Sequence, residues 1–506
     1  MNISIVARIL AYLVLGLAIV GLLPLLFSLF GDRRGPWPWL AMIATALGVA
    51  ALLLWQGRNA RVKDLSIREG IAITSLVWIV ASLIGAVGIR LATPEISYLM
   101  AWFEAMSGFT TTGSTIFGET IAISGLDRGV LVWRHLMQWL GGLGIVVISL
   151  SLLPLLTGGG GFSLYRAEMP GITNERLAPR IADTARWLVT FYLALTIAVT
   201  LALWATGASL FHSFCHALST VATGGFSTFD NSIDGFASAS AEWIIIIGMI
   251  GGALSFALLI AALRGHTERL WASTETRVFL ALLTIAGALV CYDVATHNQW
   301  YSTSTHDLIR HSLFNVISTG TTTGFAVGYN ASDGASWSAW PAGSHMVLIL
   351  LMIVGGCTGG TAGGSKVIRW VVAWKALHSE LRRFVEPARV TAVAVNGKPL
   401  DSQAVRQVGS FFFILFLCWA GGSLLIALAG QDLITSLGTA LTAVTNNGPG
   451  LGATGVDGNF AAIGPLGHLT CIFLMLVGRL EFFGFIALCS SRHWHCYGSK
   501  KPDNQD

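Results

Sequence analysis

Four short stretches of the sequence repeat one pattern of hydroxyl, amide and glycine residues. Each begins with Ser or Thr and ends with Gly at its seventh position, and we number these positions 1 to 7. The stretches recur at intervals of about 100 to 125 residues, which suggests a repeated structural module. They cover residues 107–113, 219–225, 318–324 and 442–448, and we call them segments 1 to 4.

The chemistry that suits such segments is the binding of a dehydrated cation by backbone carbonyl oxygens. Ion-selective pores use carbonyls in this way, and glycine permits the positive φ angles that turn carbonyls toward an axis. Neighbouring Thr and Asn side chains can brace such a loop through local hydrogen bonds. Small residues also mark helix packing in membranes, but four copies in one register favour a pore lining. The candidate cation-binding residues are positions 5 to 7 of each segment, namely Thr111, Thr112, Gly113, Thr223, Gly224, Gly225, Thr322, Thr323, Gly324, Asn446, Asn447 and Gly448.

A second candidate site is a glycine-rich run at 355–365. Glycine costs about 0.8 to 1 kcal/mol relative to Ala in a helix, so six glycines between 355 and 364 predict a loop inside an apolar segment. The order Gly-Ser-Lys and the lack of a preceding strand argue against a phosphate-binding loop, and small-residue helix packing is the stronger alternative. The candidate gate residues in this run are Gly355, Gly356, Gly359, Gly360, Gly363, Gly364 and Lys366.

Arg479 lies alone in an apolar stretch near the C-terminus. An unpaired arginine at membrane depth costs at least about 2.5 kcal/mol, so this residue is a functional candidate. Its expected partners are carbonyl oxygens of the 355–365 loop, whereas Glu481, two residues further on, faces another side of the helix. Our hypothesis is that Arg479 latches the loop closed or keeps cations from lingering there. A structural anchor for the helix ends is the alternative.

The composition indicates that these sites lie in a membrane. Only 11% of the 506 residues are charged and 54% are hydrophobic. Motifs such as HExxH or GxSxG are absent from the sequence, so we predict neither an enzyme nor an organic cofactor. The basic residues are spread over membrane-facing loops, which argues against binding of nucleic acid. Near the C-terminus, Cys489, His493, His495 and Cys496 match no standard zinc spacing, and their role stays open.

The apolar stretches predict an all-α membrane protein. After two initial spans, the stretches fall into pairs, and each pair encloses a short amphipathic stretch that leads into one segment. The ten predicted spans are 9–30, 37–56, 71–92, 130–156, 186–206, 241–263, 277–296, 343–372, 407–429 and 463–490. The four predicted pore helices are 98–109, 209–221, 306–320 and 431–444.

This organisation divides the chain into two N-terminal helices and four modules around one pore. Each module consists of a helix, a pore helix and a second helix. The predicted parts are 1–68 for the N-terminal helices, 69–158, 159–264 and 265–400 for modules 1 to 3, and 401–506 for module 4 with the C-terminal tail.

The distribution of basic residues predicts that the N-terminus is cytoplasmic. Lys and Arg concentrate in cytoplasmic loops, and this orientation places 23 of the 30 there and six outside, with Arg479 in a helix. The segments then face outward. The outer side carries 13 Asp and Glu residues, which could concentrate cations near the pore mouth or could reflect only the sorting of basic residues.

The motifs closely resemble those of the Trk, Ktr and HKT superfamily of potassium transporters. The resemblance rests on the four segments and on the runs at 445–450 and 475–481, and it extends from about residue 5 to 490. The two additional N-terminal helices resemble those of the TrkH branch. Ala222 and Gly224 make segment 2 the least threonine-rich of the four.

The resemblance implies K⁺ uptake across the bacterial inner membrane by a homodimer with one pore in each subunit. It implies that the position-7 glycines form a filter and that the 355–365 loop obstructs the pore when closed. A serine at the position of Gly113 accompanies Na⁺ preference in related plant proteins, so glycine favours K⁺. A cytoplasmic NAD- or ATP-type nucleotide-binding ring is the implied partner. An amphipathic helix at 372–387, within the basic stretch 366–406, could contact this ring or membrane lipid.

Two transport mechanisms fit the sequence. Passive, gated conduction is favoured because coupled transport generally needs an intramembrane titratable residue or a broken-helix site at the midplane. Glu481 and the 355–365 loop are the candidates for such a site. Symport of K⁺ with H⁺ or Na⁺ is therefore the alternative.

Overall fold

A computed structural model describes residues 2–59, 67–118, 121–156, 177–297, 304–328, 336–387, 392–482 and 484, leaving aside the side chains of 67, 145–156 and 177–184. This part of the chain is almost entirely helical. A small antiparallel hairpin, β1 (Ala394–Val395) and β2 (Lys398–Pro399), is its one sheet. The helices are α1 (Ile3–Val20), α2 (Leu22–Ser28), α3 (Trp37–Gln56), α4 (Ile67–Ala92), α5 (Tyr98–Phe109), α6 (Arg128–Leu156), α7 (Leu177–Ala205), α8 (Leu210–Val221), α9 (Ala239–Ala253), α10 (Phe256–Leu263), α11 (Thr267–Ala272), α12 (Thr274–His297), α13 (Thr305–Gly320), α14 (Ala342–Val354), α15 (Val367–Val385), α16 (Ser402–Leu428), α17 (Leu433–Thr445) and α18 (Gly464–Arg479).

The helices confirm the predicted all-α membrane fold. Seven spans within the described residues are long and apolar enough to cross a membrane, and the bent pair α9 and α10 brings an eighth. Of the other two predicted spans, 130–156 coincides with α6, whereas 343–372 is not one helix and comprises α14, the glycine-rich loop and the start of α15. The first three helices pack against each other, and α1 and α3 also pack against α4.

Four helices of 12 to 16 residues, α5, α8, α13 and α17, lead directly into segments 1 to 4. All four begin in the same way, because a Ser or Asp side chain accepts a hydrogen bond from a backbone N–H of the first turn. These capping residues are Ser97, Ser209, Ser304 and Asp432. The C-terminal end of each helix, with its partial negative charge, therefore adjoins its segment.

The predicted continuous span at 241–263 is wrong in one respect, since the chain bends by 108° between α9 and α10. The bend exposes carbonyls that a straight helix would have satisfied internally. The glycine-rich loop supplies their partners: Cys357 N donates to Ala253 O at 3.0 Å, and Thr361 N donates to Gly252 O at 2.9 Å. Broken helices are tolerated at membrane depth where neighbouring backbone satisfies the freed groups in this way.

Buried apolar side chains form two large clusters. One lies mainly among the N-terminal helices and modules 1 and 4, and the other mainly between modules 2 and 3. The amphipathic helix predicted at 372–387 is the C-terminal part of α15, which begins at Val367. The tail with Cys489, His493, His495 and Cys496 lies outside the described residues.

Candidate functional site

The four segments meet in a ring, in chain order. A Cβ atom built on the position-7 glycine of segment 1, 2 or 3 would come within 3.0 Å of the backbone of the next segment. On the glycine of segment 4, it would lie 3.4 Å from Thr112 O of segment 1, which closes the ring. Ser114 Oγ also donates to Gly448 O at 2.8 Å across this junction. Space therefore requires glycine at three of the four position-7 residues, Gly113, Gly225 and Gly324, and a Cβ at Gly448 would be a tight fit.

The backbone of the segments follows a shared conformation. The residue at position 5 is left-handed in all four, with φ of 53° at Thr111, 51° at Thr223, 55° at Thr322 and 53° at Asn446. Position 7 has φ between 83° and 86° in segments 1 to 3. Alternation of this kind lets successive carbonyls face one side of the chain, as the chemistry of a carbonyl filter requires.

Segment 4 departs from this conformation at position 7, because Gly448 is not among the glycines with positive φ. The prediction of a positive φ at all four glycines is therefore wrong at Gly448. A Cβ on Gly448 would lie 3.2 Å from Gly324 Cα. The neighbouring segment therefore leaves little room for a side chain here.

Side chains within the segments brace them as predicted, although by two different arrangements. In segments 1 and 3, the threonine hydroxyls at positions 4 and 6 lie 2.8 Å apart. In segment 4, Asn446 Nδ2 donates to Thr112 Oγ1 at 3.0 Å and to Met475 O at 2.9 Å. Asn447 Nδ2 donates to Thr319 O at 3.1 Å. The asparagine amides therefore tie segment 4 to both of its neighbours.

Sequence reasoning missed a polar residue that lies nine places before the position-7 glycine in every module. Each of these side chains, on its pore helix, bonds to the chain just beyond the segment. Glu104 accepts from Ile116 N at 3.0 Å, and Asn315 Oδ1 accepts from Val327 N at 3.3 Å. The signal was present, because polar residues at one register recur in four mainly apolar helices. The set is Glu104, His216, Asn315 and Thr439, whose partners include Ser227 Oγ for His216 and Thr454 Oγ1 for Thr439.

A buried ion pair supports segments 1 and 2 from behind. Arg134 Nε lies 2.8 Å from Glu104 Oε1, and the two side chains are 1% and 0% exposed. The Arg134 guanidinium also donates to Ser227 O at 3.1 Å and lies 4.2 Å from the ring centroid of Phe226. From the sequence, Arg134 counted only as an outer-side basic residue. The structure gives it a bridging position between modules 1 and 2.

The predicted loop at 355–365 separates α14 from α15 and packs directly against one end of the ring. Gly363 N donates to Thr322 Oγ1 at 2.6 Å, and Gly364 N donates to Thr445 O at 2.8 Å. The hydroxyl of Thr361 lies 3.1 Å from that of Thr223. The loop therefore contacts segments 2, 3 and 4.

The structure explains why each of the six predicted gate residues of this loop is a glycine. Gly355, Gly359 and Gly364 have φ between 72° and 81°, which disfavours residues with a side chain. A Cβ on any of the other three would lie 2.5 to 2.7 Å from a neighbouring atom. These three are Gly356, Gly360 and Gly363.

The predicted basic gate residues lie at this loop. Arg479 Nη1 donates to Thr361 O at 3.1 Å, and Nη2 donates to Gly141 O of α6 at 3.2 Å. Lys366 Nζ donates to Ala362 O. Glu481 forms an ion pair with Arg369. The predicted span 463–490 is wrong at this point, because α18 ends at Arg479 and Glu481 lies in the following turn with φ of 52°, not on another face of the helix.

The structure thus brings all twelve candidate cation-binding residues into one ring and all eight candidate gate residues to the loop beneath it or its edge. The described residues contain no cluster of three or more His, Cys, Asp or Glu side chains suited to a metal ion. The arrangement is a ring of closely packed backbone and uncharged polar groups, with the loop 355–365 against one end of it.

Comparison with known proteins gives one consistent result. The family profile described as TrkH, cation transport protein, matches residues 40–494. The Trk system potassium uptake protein TrkH of Salmonella typhimurium is 33% identical over 490 residues, covering 94% of this chain and 98% of the relative. The protein of the same name from Halomonas elongata is 34% identical over 507 residues, covering 98% and 100%. The crystal structure of the potassium transporter TrkH from Vibrio parahaemolyticus superposes with a TM-score of 0.86 at 30% identity, covering 98% of this chain and 100% of that one.

Proposed function

The chain belongs to the TrkH family of cation transport proteins, and we propose that it takes up K⁺ across the bacterial inner membrane through a gated, channel-like pore. The observation that carries this proposal is the closed ring of four glycine-containing segments with the loop 355–365 against its inner end. Relatives that match nearly the whole chain are named as potassium uptake proteins.

In this proposal, backbone carbonyl oxygens of the four segments replace water around K⁺, and the ring keeps them at a fixed spacing. The four pore helices direct their C-terminal ends toward the passage, which favours a cation and disfavours an anion. The membrane potential supplies the driving force, worth about 2.3 kcal/mol per charge at 100 mV. No coupled ion is needed for uptake.

The loop 355–365 acts as the gate beneath the filter. It is held by hydrogen bonds to segments 3 and 4 and by Arg479, so opening requires these contacts to break. The guanidinium group, rather than a hydrophobic contact, would then set the balance between closed and open states. Lys366 and the six loop glycines belong to the same gate.

We further propose the five-part division of the chain given by the sequence, a cytoplasmic N-terminus, a homodimeric assembly and regulation by a cytoplasmic nucleotide-binding ring. Basic residues between 366 and 406 support a contact with lipid head groups or with this ring. Along α15, an exposed apolar stripe adjoins those basic residues and includes Trp374, Leu377, Leu381 and Phe384. Flux that responds to nucleotide only when the ring protein is added would support the regulatory part.

The test is a reversal-potential measurement on purified protein in a planar bilayer, with K⁺ and Na⁺ gradients varied separately. We expect a reversal potential set by K⁺ alone and single-channel steps. Dependence on the H⁺ or Na⁺ gradient would instead indicate symport. Rescue of a K⁺-uptake-deficient bacterium on low K⁺, with the partner supplied, tests the same proposal in cells.

Gly113→Ser is the informative variant, because its Cβ would overlap the Gly224 carbonyl and its φ is 86°. We expect weaker preference for K⁺ over Na⁺. Gly421→Ser is a matched control, since a Cβ there meets nothing within 4 Å. Failure of the wild type to carry K⁺, with the partner present, would contradict the proposed function.

A further inference from the structure

Segment 2 lacks the internal brace that segments 1 and 3 possess. Where those segments have paired threonines at positions 4 and 6, segment 2 has Ala222 and Gly224. It also lacks the asparagine amides of segment 4. Its one remaining polar side chain at positions 4 to 6, Thr223, bonds to the Ala222 carbonyl and to the gate loop. Segment 2 therefore needs support from outside its own sequence.

Gln138 of α6 provides this support. Its Nε2 donates to Gly224 O at 2.5 Å, and its Oε1 accepts from Phe226 N at 3.2 Å. One amide thus holds the two peptide groups on either side of Gly225, the position-7 glycine. The side chain is fully buried, so no solvent competes for these two bonds.

The fit between Gln138 and segment 2 explains why position 6 is glycine here. A Cβ at 224 would overlap the Gln138 amide. The glutamine therefore occupies the space that a threonine side chain would fill at this position, and it offers a donor where the threonine pair is missing. Gln138 and Gly224 are complementary.

The backbone of α6 is fixed at this point by contacts that do not involve the Gln138 amide. One turn earlier, Arg134 pairs with Glu104. One turn later, a Cβ on Gly142 would lie 3.0 Å from Ala222 Cα, so helix and segment approach closely. The glutamine is therefore presented from a rigid support, as a side chain that sets a carbonyl position must be.

We propose that Gln138 is a positioning residue that fixes the orientation of segment 2 and thereby contributes to discrimination between K⁺ and Na⁺. This inference rests on the proposed function. Loss of the amide would leave Gly224 O without its donor and Phe226 N without its acceptor in a buried site, and these peptide groups would turn to find new partners. Gly224 O also borders Gly113, so the displacement reaches segment 1.

Gln138→Met tests the inference, because methionine retains the length of the side chain and removes both hydrogen bonds. We expect the K⁺/Na⁺ permeability ratio from reversal potentials to fall about tenfold, equivalent to about 1.4 kcal/mol, while the protein remains folded. Trp139→Phe is the matched control. It removes the hydrogen bond from Trp139 Nε1 to Thr196 Oγ1 of α7, leaves both hydrogen bonds of the Gln138 amide in place, and should leave the ratio unchanged.

Gly224→Ala approaches the same contact from the other side, since its Cβ displaces the amide without altering α6. If Gln138 acts through this peptide, the double variant should lose no more discrimination than the stronger single variant. If the two substitutions acted independently, their fold losses in the K⁺/Na⁺ permeability ratio would multiply in the double variant. The comparison separates positioning of segment 2 from a general loss of stability, and Gly224→Ala alone tests the contact if Gln138→Met fails to fold.

A selective wild type with an equally selective, folded Gln138→Met variant would overturn the role of Gln138 and leave the proposed function intact. Losses that multiply in the double variant would overturn it as well. If Gln138→Met does not fold, a Gly224→Ala variant that keeps the wild-type K⁺/Na⁺ permeability ratio would also overturn the role of Gln138. A wild type without preference for K⁺ would contradict both proposals.

Discussion

Neutralising Arg479 should increase flux through the closed pore. Its Nη1 donates to Thr361 O of the gate loop, and its Nη2 donates to Gly141 O of α6. When the loop moves away, the bond to α6 can persist, so only the bond to Thr361 is lost on opening. A hydrogen bond from a charged group contributes about 1.5 to 3 kcal/mol. Taking about 2 kcal/mol, Arg479→Gln should raise the ratio of open to closed states roughly 30-fold.

The assay is uptake of Rb⁺ into liposomes without any regulatory partner, together with open probability in single-channel records. Arg479→Lys should give a smaller increase, because it keeps the charge but loses the planar pair of donors. Thr470→Val on the same helix is the control, since its hydroxyl bonds only to Leu466 O one turn earlier. Both variants should elute as folded protein. Basal flux and partner regulation that equal the wild type in a folded Arg479→Gln protein would refute the latch.

Three further variants probe the ring and its supports. Gly225→Ala should reduce K⁺ flux more than about tenfold in folded protein, because φ is 84° there and its Cβ would overlap the next segment. Arg134→Met should lower the midpoint of thermal unfolding in detergent, because it leaves Glu104 buried without its ion-pair partner at a cost of about 3 to 5 kcal/mol. Adding Glu104→Gln to this variant should restore part of the lost thermal stability. Glu275→Ala removes the acceptor for Thr358 N of the gate loop, bonded at 2.8 Å, and should raise basal Rb⁺ uptake about tenfold. An unchanged rate or midpoint in any of these would contradict the corresponding contact.

The pore helices could be predicted closely because their signals are local. The predicted helix at 98–109 coincides with α5, and the one at 306–320 begins one residue after the start of α13. In each case a Ser precedes the helix, and the repeated segment marks its end. The capping residue, the helix and the glycine at position 7 lie within about twenty residues of each other, so one short stretch of sequence contains the signals that predict the helix.

The bend between α9 and α10 could not be predicted, because its cause lies far along the chain. The stretch 241–263 is apolar throughout and fits a continuous span. The break is stabilised by N–H groups of residues 357 and 361, which donate to the carbonyls of Ala253 and Gly252. Hydrogen bonds between parts of the chain about a hundred residues apart leave no signal in the hydrophobic periodicity of either part.

The supports of the four segments differ more than the segments themselves. Threonine pairs brace segments 1 and 3, asparagine amides brace segment 4, and a glutamine from α6 holds segment 2. Gly448 shares its register with the other glycines but has a different backbone conformation. Because each segment has its own support, the same substitution at aligned positions should have unequal effects. In the proposed function, cation discrimination would therefore depend on the packed helices behind the ring as well as on the repeated sequence that lines it.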